Sequence, residues 1–207
     1  MTTLADLLAQ VERGQPLPTD PWLSVVPAPA GNPAVLSFPG RIVVAADLDP
    51  AWVAAQVPDG DLSAPMNPPF LHACERKLGR RVNSIDVLLL GPPVPGPPEV
   101  ALREVADLDH PRVRRARRYR PHVRVFTTEG GVLVVGQGLA GRWEVAVEVD
   151  PPHRGRGLGR ALAAAARHLV PVDRPVWAQV NPGNAASVRA FLAAGYRPVG
   201  AEALLVP

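Results

Sequence analysis

Residues 143–162 read Trp-Glu-Val-Ala-Val-Glu-Val-Asp-Pro-Pro-His-Arg-Gly-Arg-Gly-Leu-Gly-Arg-Ala-Leu, and the fold is decided there. Trp143 to Val149 alternates in side-chain character, with Trp and Val at every second place, so it reads as a strand. Pro151 and Pro152 end it, because proline donates no ladder hydrogen bond. After Arg154-Gly-Arg-Gly-Leu-Gly159, an alanine-rich helix is expected over Arg160 to Val170, with Leu158, Leu162, Ala165 and Leu169 on one face. A strand, a glycine-rich turn and a helix start leave backbone N–H groups pointing outward where the helix dipole is positive. Glycines let an anion reach that backbone with no Cβ in the way. The stretch from Arg154 to Arg160 therefore reads as a phosphate or pyrophosphate site.

Spacing narrows the choice of anion. A P-loop needs Gly-Lys-Ser/Thr, and Lys77 is the only lysine in the chain. Counted from Gly155, the sixth place of a dinucleotide fingerprint is Arg160, so that pattern fails. Gly136-Gln-Gly138-Leu-Ala-Gly141 fits the letters but joins two strand-like runs and opens no helix, so it reads as a turn.

Arg154-Gly-Arg-Gly157-Leu-Gly159 resembles the acyl-CoA loop of the GNAT acyltransferase superfamily, which has Gln/Arg, two residues, Gly, one residue and Gly/Ala between a strand and a helix. The likeness continues through Pro175 to Val180, which looks like the next strand of that family. It extends to Asn184-Ala-Ala-Ser187-Val-Arg-Ala-Phe191-Leu-Ala-Ala-Gly195-Tyr196, which looks like its second motif. The resemblance implies an acetyl-CoA site. In it the backbone of Arg154, Gly155, Arg156, Gly157, Leu158, Gly159 and Arg160 would hold the pyrophosphate. The main chain of Val147 and Val149 would pair with the pantetheine arm, and Asn184 and Ser187 would touch that arm. Arg154, Arg156 or Arg160 could add charge-assisted contacts. Asn184 has a second reading, as the cap of the helix 185–194.

An amine attacks a thioester only as the neutral base, so a carboxylate, or a water it holds, should take a proton. Glu144, Ala146 and Glu148 share one face of the strand, which makes Glu148 and Glu144 the candidate general bases. His153 is a weaker candidate because it precedes the loop. Many members of the superfamily carry a tyrosine seven residues after the asparagine, as the acid for the leaving thiolate. Here that residue is Phe191, which donates no proton, and Tyr196 reads as core.

Composition bounds the rest. The 207 residues are 47% hydrophobic, enough for a substantial core and against general disorder. A net charge of +3 is too mild to argue for nucleic acid. Cys74 is the only cysteine, so neither a disulfide framework nor a cysteine zinc site is expected, and no other grouping suggests a metal. No run approaches the roughly 18 apolar residues of a membrane span, and Met1 to Glu12 lacks a secretory pattern. The expectation is a cytoplasmic protein.

Along the chain, helices are expected over Leu4 to Val11, Asp49-capped Pro50 to Gln56, Pro69 to Leu78 and Asp109 to Tyr119. Ala34 to Phe38 and Arg41 to Ala46 read as a hairpin through Pro39-Gly40. Strands follow at Ser84 to Leu90, Val100 to Val105, Val123 to Thr127 and Val132 to Gly136. Two short strands, Tyr196 to Val199 and Ala203 to Val206, close the chain around Gly200. Trp22 is expected as an anchor in a proline-broken stretch. Gly91 to Pro98 holds five prolines in eight residues and reads as a linker. The expected division is an N-terminal α/β extension over 1–98 and a GNAT domain over 99–207. The first part is either a small domain of its own or a supplier of the first core strand and of acceptor-pocket residues. Arg112 to Arg124 contains seven arginines. They suit a solvated helix face, an acidic acceptor or cofactor phosphates, or nucleic acid, with only Tyr119 interleaved for stacking.

The reading as a whole is an α/β protein with a GNAT-like mixed, mostly antiparallel central sheet flanked by helices. Its expected activity is transfer of the acetyl group of acetyl-CoA to a primary amine by direct attack in a ternary complex. The alternative is a non-catalytic acyl-CoA-binding or regulatory module. Partners are an acyl-CoA and an amine acceptor, with no membrane or nucleic acid, and a homodimer is compatible with the chain.

Overall fold

A computed structural model describes residues 2–207. The chain forms two compact units, one of residues 1–88 with 199–207 and the other of residues 89–198. Both are mixed α/β, with mostly antiparallel strands and flanking helices.

In the first unit, helix α1 (Leu4–Glu12) buries Leu4, Leu7, Leu8 and Val11, the positions its periodicity marks. Thr3 and Asp6 close a reciprocal capping box at its start. Strand β1 (Leu23–Val26) follows, then the hairpin β2 (Ala34–Phe38) and β3 (Arg41–Ala45), turned at Gly40 with φ of 69°. Helix α2 (Pro50–Ala55) starts on the Asp49 carboxylate, which accepts from the Ala51 N–H. Helix α3 (Pro68–Leu78) stops at left-handed Gly79. Strand β4 (Arg81–Gly91) runs across the unit boundary. Val35, Ile42, Val44, Phe70, Leu71 and Cys74 form the core, and Trp22 packs against it as its anchoring role requires. Burial pushes the Cys74 thiol up to about 11, so it stays protonated.

The second unit begins with β5 (Arg103–Val105) and α4 (Pro111–Tyr119). Strands β6 (Arg124–Thr128), β7 (Gly131–Gln137) and β8 (Trp143–Val149) form the expected meander. Helix α5 (Leu158–Ala166), strand β9 (Val176–Val180) and helix α6 (Ala185–Ala193) complete it, and β10 (Arg197–Val206) carries the chain back into the first unit.

Alternation along β7 sets the two faces of its sheet. Val132 and Val134 pack with Val113 and Ala116 of α4. Gly131 points the other way, where a Cβ would lie 2.8 Å from Leu162 and 3.3 Å from Leu158 of α5. Glu148, Ala146 and Glu144 lie opposite Val132, Val134 and Gly136, which puts all three on the α4 face.

The compact units part at Leu88/Leu89 and Pro198/Val199, and the last strand pairs antiparallel with β2, Ala201 opposite Ser37. Three expectations change. That last strand is one element, not two. Gly200 is no breaker: a Cβ there would sit 2.2 Å from the Ser37 carbonyl oxygen, so the glycine permits close backbone approach. Strand β1, hidden between Pro21 and Pro27, pairs parallel with β3. The helix after the loop starts two residues early and gives way after Ala166 to tight turns through Leu169.

Candidate active site

Strand β8 pairs along its whole length with β7, but with β9 only at Trp143↔Val176 and Glu144↔Trp177. Beyond that point Val145 to Val149 have no ladder partner on β9 among the described residues. A strand edge opened in this way offers backbone donors and acceptors to an extended ligand, as an added strand would use them. Val147 and Val149, the expected pantetheine contacts, lie on this opened stretch.

The loop that follows is set by two glycines in left-handed conformations, Gly155 at φ 75° and Gly157 at φ 86°. A Cβ at either would meet no atom within 4 Å, so the space in front of this backbone is clear. Gly157 is the N-cap of α5 and has no side chain to cap it, so the first N–H groups of that helix are left for an anion. These backbone features fit a pyrophosphate. Gly155, Arg156, Gly157 and Arg160 are exposed, with Leu158 and Gly159 half-buried. Arg154 is already engaged: its Nε donates to the Val149 carbonyl at 2.9 Å. Two expected ligand contacts thus meet each other and tie the loop to the end of β8.

Helix α6 begins at Asn184, whose Oδ1 accepts from the Ser187 N–H at 3.1 Å. The capping role is therefore realised, on an exposed residue. Ser187 lies in the first turn. Phe191 is buried and meets Tyr196 edge to face, ring centroids 4.9 Å apart. The Tyr196 hydroxyl donates to the Ala163 carbonyl at 3.0 Å, and burial pushes its pKa further up. Neither residue offers a proton to a leaving group.

The two candidate bases have unlike surroundings. Glu148 is half-exposed and accepts from Arg112 Nε of α4 at 2.8 Å. Glu144 is 3% exposed. Its Oε1 accepts from Arg142 Nε at 2.8 Å, the Leu139 N–H at 3.3 Å and Gln179 Nε2 at 3.4 Å, and its Oε2 pairs with Arg120 Nη2 at 2.7 Å. Gly138 makes room for it, since a Cβ there would lie 2.1 Å from the carboxylate carbon. Arg142 also stacks over buried Trp177 at 5.1 Å. Burial pushes the Glu144 carboxyl up, but Arg120, Arg142 and the two hydrogen bonds outweigh it and hold the group below the usual glutamate range. A buried carboxylate held by two guanidiniums is a weak base, so Glu144 does not suit the role expected of it, whereas Glu148 stays within reach of solvent. His153 lies against Gly130, where a Cβ would be 2.1 Å from its ring, with Nε2 4.0 Å from Glu129.

Sequence reasoning missed Arg112, Arg120, Arg142 and Gln179. The arginine-rich segment held the signal for the first two, but not which carboxylate each would meet. Other members of that segment are spent locally, Arg114 on Asp109, Arg117 on the Ala106 carbonyl and Arg124 on Glu104. Arg115 and Arg118 stack on Tyr119. Among the described residues, no group of three or more His, Cys, Asp or Glu could hold a metal ion, and no helix is long and apolar enough to cross a membrane.

The family model described as the acetyltransferase (GNAT) family matches residues 103–196. Among solved structures, a GCN5-related N-acetyltransferase from Kribbella flavida is similar at 21% identity and a TM-score of 0.41, over 67% of this chain and 64% of that one. A GNAT-family acetyltransferase from Novosphingobium aromaticivorans is similar at 20% identity and a TM-score of 0.42, over 62% of this chain and 67% of that one. The chain thus spans less than two thirds of the first of these. No curated protein matches it.

Proposed function

We propose that the protein transfers the acetyl group of acetyl-CoA to a primary amine by direct attack, a reading that starts from the match of residues 103–196 to the acetyltransferase (GNAT) family model. The observation that carries the reading is the parting of β8 from β9 immediately before a left-handed glycine loop and an uncapped helix start. The open β8 edge at Val147 and Val149 would receive the pantetheine arm. Backbone N–H groups from Gly155 to Arg160 would hold the pyrophosphate, with Arg156 and Arg160 adjacent. Asn184 would keep its cap and present the start of α6 toward the same arm.

In the transfer, the amine nitrogen bonds to the thioester carbon and loses a proton, and the carbon–sulfur bond breaks. Glu148, oriented by Arg112, would take that proton directly or through a water. Backbone N–H on the parted stretch of β8 would face the developing oxyanion. The thiolate would leave as an anion and be reprotonated by solvent, since an unperturbed thiol has a pKa of about 8.5 and needs no strong acid. Buried Phe191 and the committed Tyr196 hydroxyl favour a second reading, a module that binds acyl-CoA without turnover.

Calorimetric titration of acetyl-CoA into wild type and Gly157→Glu tests both, with a melting curve to check that the variant folds. Micromolar binding lost only in the variant supports the site, because bulk and negative charge would stand where the pyrophosphate lies. No binding to wild type would overturn the reading. Binding without thiol release across an amine panel would select the module.

A further inference from the structure

We propose that Glu144 and Gln179 are positioning residues that fix the point where β8 and β9 part, and so set the geometry of the opening in which the acyl group would lie; this rests on the acyltransferase reading. Glu144 is the last residue of β8 paired with β9, opposite Trp177. Gln179 is two residues farther along β9, on the same face as Trp177, and its amide reaches back to the Glu144 carboxylate at 3.4 Å. Where the backbone ladder stops, a side-chain link continues it for one more step.

The same carboxylate is tied to three other places. Arg120, the C-cap of α4, pairs with it at 2.7 Å and donates to Gln179 at 3.3 Å. Arg142 and the Leu139 N–H hold it to the turn that leads into β8. Strand β8, strand β9, helix α4 and that turn therefore share one fixed point. Near-complete burial leaves substrate no route to the carboxylate, so Glu144 acts through the elements it joins. Sites depend on such support because a small misplacement of reacting groups is costly.

The test uses the full chain with Gln179→Leu, which cuts the link to β9 and leaves both arginines on Glu144. Glu144→Gln is the companion variant, kept second because a buried Arg142 and a partly buried Arg120 without a counter-charge can prevent folding. Melting temperature, CoA affinity, kcat and KM for an accepted amine, and amide exchange over Val176 to Val180 are measured together. The expected result for Gln179→Leu is a folded protein with CoA affinity and KM within about twofold of wild type, kcat down roughly 10- to 100-fold and faster exchange over Val176 to Val180. Unchanged kcat in a folded variant would overturn the proposal. So would kcat, KM and CoA affinity falling in step with melting temperature, the mark of a merely structural residue. Should wild type neither bind acetyl-CoA nor release thiol, the acyltransferase reading fails on its own. Exchange then decides the link, faster exchange upholding it and unchanged exchange refuting it.

Discussion

The two ends of β8 carry the same residue on the same face and place it in opposite surroundings. At the Trp143 end the strand is paired on both sides, and Glu144 is buried against Arg120 and Arg142, the latter stacked on Trp177. At the Val149 end one side is open, and Glu148 stands half in water beside a single arginine. Alternation along the strand treats the two glutamates alike. The difference comes from what crosses the strand: β9 closes one end and leaves the other, while α4 sets an arginine over each. A carboxylate with four partners joins the elements around it, and one with a single half-exposed partner stays open to solvent.

Removing each carboxylate in turn gives the sharpest contrast. Glu144→Ala strands the buried Arg142 guanidinium and the partly buried one of Arg120, and is expected to cost about 3–5 kcal/mol of stability. Glu148→Gln breaks a pair whose partners are each 37% exposed, so its effect on stability should stay below about 1 kcal/mol. Its effect on rate, as loss of a general base, should be roughly 10²- to 10⁴-fold. Denaturant melts and steady-state rates on the two variants check both halves. Equal destabilisation, or an active Glu148→Gln enzyme, would erase the distinction between the two ends.

Acid provides a milder version of the same contrast. Burial raises the Glu144 carboxyl, but Arg120, Arg142 and their hydrogen bonds bring it below the ordinary value of 4.5. A group whose folded pKa lies below its unfolded one binds protons more weakly when folded. Its contribution is therefore complete above about pH 4.5 and disappears as pH falls through the folded value. Melting temperature in wild type should drop more steeply below pH 4.5 than in a folded Glu144→Gln protein, which has no proton to bind there. Parallel curves would mean that the two arginines do not act on Glu144 in solution.

Much of this architecture can be read in the amino acids, and the parts that cannot have definite causes. The meander, the glycine loop and the two helices after it announce themselves through strict alternation, through Gly155 and Gly157, and through Asn184. Partners across sequence distance do not. The glutamates of β8 are indistinguishable until 36 residues of separation are closed between Arg112 and Glu148. The arginine-rich segment likewise offers charge without addresses. Proline misled at β1, since Pro21 and Pro27 lie outside the strand they seem to forbid. Glycine misled at Gly200, where a missing Cβ serves contact with Ser37 rather than a break. The last strand is claimed by β2, a pairing no local pattern records.

The smallest effects belong to the glycines at the open end, and they separate two reasons for having a glycine. Gly157 is left-handed at φ 86° with clear space around it, so alanine there costs backbone strain of about 1–2 kcal/mol and no steric clash. Gly159 is already helical. A Cβ on it would lie 3.7 Å from Val149 and 3.9 Å from Ala190, which is ordinary contact. Alanine is also the better helix former by up to about 1 kcal/mol in a helix interior, and by less in a first turn. Gly159→Ala should therefore leave melting temperature level or slightly raised, while Gly157→Ala lowers it. If the loop is an anion cradle, acetyl-CoA affinity should follow the same order, weakened by Gly157→Ala and nearly unchanged by Gly159→Ala. Reversal of that order in binding but not in melting would move the ligand away from the left-handed turn and onto the first turn of α5, where the added methyl would obstruct it.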